Sequence, residues 1–316
     1  MAASIIDFHC DTLSLLLRQG GTLFRRPQGQ VDTKRMRQAG VALQVFAMFS
    51  HPNSVNGHLA DALLMAELFW QAVDAGYIVP VLWREDLSAL NQTPGGLLSI
   101  EGGEPLGTDV RMLEAFYRIG VRVVGLTWNG GNALADGVEV HAAGGLTPLG
   151  KEFVAEMNRL GMLVDVSHLA ELGFWQVAEL CRGPFIASHS NCRAVCPHAR
   201  NLSDDQLRAI AASGGVVGIN LYPRFLTQNV VATSADVIRH AEHMLSVMGR
   251  GHVGLGSDFD GIGITPSDLP DVGALPYLAE QLTRYFGAEI AWEIMGGAFM
   301  RLLQESLPLR HGSKRG

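Results

Sequence analysis

Residues 162–189 read Met162-Leu-Val-Asp-Val-Ser-His168, then Leu169-Ala-Glu-Leu-Gly-Phe-Trp-Gln-Val-Ala-Glu-Leu-Cys181, then, after Arg-Gly, Pro184-Phe-Ile-Ala-Ser-His189. Two short apolar runs bracket a stretch of helical period, which is the pattern of a βαβ unit. The first run is apolar nearly throughout, as a parallel strand covered by helices must be. Each run also closes on a histidine.

The same unit recurs about eight times along the chain. The candidate strands are Ser4–Cys10, Val41–Phe49, Gly96–Glu101, Val121–Trp128, Met162–His168, Pro184–His189, Gly215–Tyr222 and His252–Asp258. Helices are predicted near His58–Ala75, Val110–Ile119, Lys151–Leu160, Leu169–Cys181, Ser203–Ala212 and Ser234–Met248, with more after the last strand. Ser203-Asp-Asp-Gln and Ser234-Ala-Asp fit Ser-capped helix starts. No G-x-G-x-x-G opens a helix after the first strand and no P-loop occurs, so a nucleotide-binding open sheet loses its support. The expected fold is α/β, a (β/α)8 TIM barrel of parallel strands in a single domain over residues 1–316, with 304–316 a flexible tail. Gly130–Pro148 and Gly261–Gly273 read as long loops, which in a compact domain are usually functional.

Hydrophobic residues are 47% of the 316 and charged residues 17%, enough apolar surface to exclude a disordered chain. The net charge is −7 and basic residues cluster only at Arg310–Arg315, so nucleic acid is not an expected partner. No positive n-region leads into a long apolar stretch and no apolar run reaches 18 residues, so the expectation is a cytoplasmic protein without a membrane anchor. Cys10, Cys181, Cys192 and Cys196 are too few for a disulfide scaffold and read as reduced thiols.

Polar residues interrupt the apolar strands at one end only. Asp7-Phe-His9-Cys-Asp11 closes the first, Glu101 the third, Asp165-Val-Ser-His168 the fifth, Ser188-His189-Ser190 the sixth and Ser257-Asp258 the eighth. In a closed barrel these C-terminal ends surround one cavity, so residues about 250 apart in sequence become neighbours. His9 and Asp11, at i and i+2, share one side of an extended strand. Glu101 after Leu-Leu-Ser-Ile is a carboxylate that needs a cation or donors to be buried there. Three imidazoles and two carboxylates suit zinc better than calcium or magnesium, which prefer oxygen alone. Five ligands serve two Zn2+ ions more naturally than one. In this reading Glu101 bridges them, with His9 and Asp11 on one and His168 and His189 on the other. Two such ions, roughly 3.5–4 Å apart, share a bridging hydroxide as nucleophile. Asp258 then serves as the proton shuttle, first base and later acid.

These residues, in order, resemble the membrane (renal-type) dipeptidase family of dizinc metallopeptidases over nearly the whole chain. The resemblance rests on Asp7-Phe-His-Cys-Asp11, Ser99-Ile-Glu-Gly-Gly103, Gly120-Val-Arg-Val-Val-Gly-Leu-Thr127, Asn132 with Ala135-Asp136, and Leu146-Thr-Pro-Leu-Gly150. It continues through Asp165-Val-Ser-His168, Ser188-His-Ser-Asn191, Arg200-Asn201 and Gly254-Leu-Gly-Ser-Asp-Phe-Asp-Gly261. It implies a dipeptide substrate, with Arg200 on its C-terminal carboxylate, Tyr222 lining the pocket and a homodimer as the assembly.

Where the animal enzymes carry a carbonyl-polarising histidine after Leu-Thr, this chain has Trp128-Asn129. Oxyanion stabilisation then falls to the metal, to Asn129 or to another donor. A second departure is Gly296-Gly-Ala-Phe299, where the family reads Gly-Gly-Asn-Phe. Related barrel hydrolases of other amides or lactams remain the alternative, with a non-catalytic metal-binding barrel behind them. Those with a carbamylated lysine bridge need a lysine at a central strand end, and Lys34, Lys151 and Lys314 are not so placed.

Overall fold

A computed structural model of the protein describes residues 5–90 and 93–310. Its strands are β1 (Ile5–Cys10), β2 (Val41–Phe49), β3 (Gly95–Glu101), β4 (Val121–Gly125), β5 (Leu163–Asp165), β6 (Val217–Ile219) and β7 (Val253–Leu255). All pairings among them are parallel, in the order β5-β4-β3-β2-β1-β7-β6. The eighth stave is the segment at 186–187, which bridges to Asp165 on one side and to Val217 on the other and closes the ring. A two-residue strand, Val79–Pro80, pairs with β3 off this path and was not expected.

Around the ring stand helices α1 (Thr12–Gln19), α2 (Thr33–Ala39), α3 (His58–Asp74), α4 (Met112–Ile119), α5 (Pro148–Leu160), α6 (Glu171–Leu180), α7 (Asp204–Ala212), α8 (Pro223–Leu226) and α9 (Ser234–Met248). After β7 come α10 (Leu275–Phe286), α11 (Ala288–Trp292) and α12 (Ala298–Ser306). Ser203 caps α7 as expected, with Gln206 returning the bond. The start of α9 shifts by one residue: Thr233 is the cap, its N–H bonded to Asp236, while Ser234 bonds Asp268.

The later ladders are shorter than the apolar runs. The strand expected over Met162–His168 pairs only at Leu163–Asp165, and that over His252–Asp258 only at Val253–Leu255. Beyond them, side chains replace ladder partners: Asp165 Oδ1 accepts from Ser188 N at 3.0 Å, and Asp7 Oδ1 accepts from Ser257 N at 2.8 Å. The strand ends thereby gain freedom to aim side chains at the cavity.

Alternation on β2 and β3 separates two cores. Phe46, Met48, Leu98 and Ile100 pack with Met65 and Phe69 of α3. Leu43, Val45 and Leu97 instead join Ile6, Phe8 and Val123 in a cluster with Phe299 and Leu302 of α12. Phe8 and Phe299 stack with centroids 3.8 Å apart. Residues 304–310, expected as part of a tail, are therefore docked: Gln304–Ser306 complete α12, Leu307 is buried, and Pro308 O accepts from Arg84 N at 3.0 Å. The rest of that expectation, 311–316, lies outside the described residues.

Candidate metal centre

Glu101, the last residue of β3, divides its two oxygens between two groups. Oε2 lies 3.3 Å from His9 Nε2, which is 3.4 Å from Asp11 Oδ2. Oε1 lies 2.8 Å from His168 Nε2 and 3.7 Å from His189 Nε2. Those two Nε2 atoms are 2.9 Å from each other. The five residues thus form two triads, His9-Asp11-Glu101 and Glu101-His168-His189, with the glutamate in common. All five are buried.

Second-row groups turn the ring nitrogens this way. Ser188 Oγ donates to Asp165 Oδ2 at 2.5 Å, so it accepts from His189 Nδ1 at 2.7 Å and leaves Nε2 as the free lone pair. His168 Nδ1 meets Asn129 Oδ1 at 2.7 Å, which fixes the same tautomer there. His9 Nδ1 lies 3.3 Å from Ser188 Oγ. A ligating imidazole is ordinarily held through its other nitrogen in this manner. Asp165 also lies within reach of His9 and His189, but its oxygens are taken by Ser167 and Ser188.

The centre fits cations. His9 Nε2 and Asp11 Oδ1 are buried without a hydrogen-bond partner among the described residues. Burial, reinforced by the neighbouring Glu101 charge, pushes the Asp11 carboxyl well above its ordinary range. Burial also pushes His189 well below the usual imidazole value and takes His168 down to about 4, the latter with help from Arg200. The bare Nε2 atoms of His168 and His189 beside the Glu101 carboxylate, and the buried Asp11 Oδ1 without a donor, make a set that a divalent ion completes.

Asp258 sits at φ +64°, in the left-handed region, and Asn220 Nδ2 donates to its Oδ2 at 2.9 Å. Two residues on, Asp260 ties this turn to the start of α1 and to the chain after it. It accepts from Thr12 Oγ1 at 2.7 Å and Gln30 N at 2.7 Å, and pairs with Arg26 at 2.5 Å. At Gly261 a Cβ would stand 2.2 Å from Asp11 Oδ2 and 2.6 Å from Asp258 Oδ1, so any side chain there would displace both carboxylates. Burial raises the Asp258 pKa above the usual carboxylate value.

Arg200 is 4% exposed and makes no ion pair with a carboxylate among the described residues. Its guanidinium reaches Ser190 Oγ at 3.4 Å, His189 O at 3.2 Å and His168 Nε2 at 3.2 Å, and burial lowers its pKa to about 10. A buried cation so placed calls for an anion. A cavity of about 370 Å3 joins these groups, with Trp128, Tyr222 and Phe225 among its walls. The Trp128 ring lies 5.2 Å from Phe49 and 6.2 Å from His168.

Asn129 has partners other than the expected substrate. Its Oδ1 takes His168 Nδ1 and its Nδ2 donates to Glu139 at 3.0 Å, so the amide is engaged at both ends although it borders the cavity. Sequence reasoning left Asp165, Ser188, Asn220 and Arg26 without roles. The Asp-x-Ser-His168 and Ser-His189 doublets were the visible signal for the first two.

The model of the membrane dipeptidase family, peptidase family M19, matches residues 1–314. The chain belongs to that family. It is a metal-dependent hydrolase of the dipeptidase kind. Dipeptidase aclJ of Aspergillus oryzae is 34% identical over 293 residues, which span 87% of this chain and 69% of that protein. A solved metallopeptidase, dipeptidase AC, superposes with a TM-score of 0.89 at 31% identity, covering 97% of this chain and 99% of its own. A Rhodobacter sphaeroides metallopeptidase solved with a phosphinate mimic of the dipeptide L-Ala-D-Ala gives 0.89 at 29% identity, covering 96% and 99%. Within the described residues no helix is long and apolar enough to cross a membrane.

Proposed function

We propose that this family member hydrolyses dipeptides at a binuclear zinc centre held by His9, Asp11, Glu101, His168 and His189. The observation that carries the reading is the split of the Glu101 oxygens between two ligand groups. The ions, when bound, would supply Lewis acidity that ionises water near neutral pH and polarises an amide carbonyl. The Arg200 fork takes the C-terminal carboxylate of the substrate, which supplies its missing anion and fixes the peptide's direction. Asp258, steadied by Asn220, takes the proton of the attacking water and passes it to the departing amine. Trp128 and Phe225 exclude bulk water and wall the substrate in. The ligand of the Rhodobacter sphaeroides relative supports including D residues at the C-terminal position.

Metal analysis and turnover test this together. The expected result is two zinc ions per chain and hydrolysis of L-Xaa-L-Xaa or L-Xaa-D-Xaa dipeptides. Asp258→Asn should cut kcat by about 10²- to 10⁴-fold, the usual share of general acid–base catalysis. One ion per chain at saturation would remove the binuclear reading, and a parent-like rate in Asp258→Asn would remove the shuttle.

A further inference from the structure

Two arginines line the cavity, Arg200 and Arg18. Elsewhere on the chain Arg26, Arg35, Arg193 and Arg250 are paired with carboxylates. Arg18 is not: its Nε donates to Ser14 O at 3.3 Å, and its two terminal nitrogens have no partner among the described residues. A cation in the last turn of α1 also suits the helix dipole. That field does not explain why this one borders the active-site cavity unpaired.

Position around the ring separates the two cations. Arg18 follows β1, and Arg200 follows the 186–187 stave; three steps part them one way round the barrel and five the other. Arg200 borders the cavity beside His168 and His189, and Arg18 borders it from the helix that follows Asp11. Past Arg18, His51 and Phe49 the cavity adjoins a second hollow of about 400 Å3, which shares Ser14, Arg18, Phe49 and His51 with it. The acidic group in that hollow, Asp61, is buried and already engaged by Ser50 and Asn56. It offers Arg18 no partner.

A dipeptide anchored at Arg200 by its C-terminal carboxylate has its N-terminal residue across the metal ligands, on the side of Arg18. We propose that Arg18 makes this end a subsite for an acidic side chain, so that the preferred substrates are dipeptides beginning with Glu or Asp. The inference rests on the dipeptidase reading and names its substrate class.

The test compares L-Glu-L-Ala with its neutral isostere L-Gln-L-Ala and with L-Lys-L-Ala, using zinc-loaded protein. Arg18 is exposed, and an exposed ion pair is worth at most about 1 kcal/mol, so kcat/KM should favour Glu over Gln by about fivefold. The preference should shrink as salt is raised. Arg18→Gln should bring the Glu-to-Gln ratio close to one, and Arg18→Glu should turn the preference toward L-Lys-L-Ala. Calorimetric binding of the same three peptides to Asp258→Asn reads the preference without turnover. If no dipeptide is cleaved but binding still favours Glu through Arg18, the hydrolytic reading fails and the subsite stands. A ratio of one or less in the parent, or one that Arg18→Gln leaves in place, overturns the subsite.

Discussion

Ser188 is not among the candidate ligands, yet its one hydroxyl proton helps set the candidate metal centre. Because it donates to Asp165, it must accept from His189, and His189 Nε2 is left bare toward Glu101. Ser188→Ala removes that constraint without adding bulk. We expect metal affinity to fall about 10- to 100-fold, the usual effect of losing an outer-shell partner, measured by competition with a chelator. An unchanged affinity would mean that Asp165 and packing alone orient His189. The five candidate ligands and Asp258 stood out in the sequence because each stands at the end of an apolar run, where a polar residue needs a reason. Asp165, Ser188 and Asn220 occupy equally suggestive positions, but their roles depend on partners 23 to 38 residues away whose approach only the closed ring determines. Asn129 shows the same limit: an amide beside a missing histidine reads as a donor to substrate until its two partners are seen.

At the scale of elements, the longest helices that escaped sequence reading lie between β1 and β2. Helix α1 starts at Thr12, directly after a metal-ligand candidate, with no side-chain cap to announce it. Helix α2 is seven residues long, too short for a periodic signal, but its start is strongly marked. Asp32 accepts from Arg35 N at 2.9 Å and from Arg26 N at 3.1 Å, and pairs with the Arg35 guanidinium at 2.8 Å. Burial opposes the charged carboxylate, but the backbone N–H groups and Arg35 outweigh it and lower the Asp32 pKa. A depressed folded pKa stabilises the fold above the unfolded value, and that stability is lost as pH falls through the folded one. Asp32→Ala should therefore cost about 1–2 kcal/mol at neutral pH as a lost cap. The gap between parent and variant in urea unfolding should narrow as pH falls below about 4. A gap independent of pH would show that the carboxylate charge contributes nothing. The stakes reach the site, since Arg26 also holds Asp260, two residues from Asp258.

Considered whole, the molecule has a catalytic end and a closed end. The strand C-termini carry the candidate ligands, while the inward Phe8, Leu43 and Leu97 meet Phe299 and Leu302 of α12. Barrel closure was legible from eight repeated units without a nucleotide motif. The role of α12 was not, because a C-terminal amphipathic stretch looks the same whether it trails or plugs the barrel. Phe299→Ala tests the plug: it removes a ring that is fully buried and stacked on Phe8, and should destabilise the fold by about 3–5 kcal/mol. Bound metal stabilises the folded state by mass action, so parent and variant must be unfolded at one fixed zinc concentration. Among the described residues no hydrogen bond or ring contact joins Phe299 to the five candidate ligands, and changes at independent sites add. Zinc affinity of the folded variant should therefore stay within about twofold of the parent, a difference of about 0.4 kcal/mol on the additivity scale. A large loss of zinc affinity with little loss of stability would instead show that α12 acts on the metal centre through β1, where Phe8 stands one residue before His9.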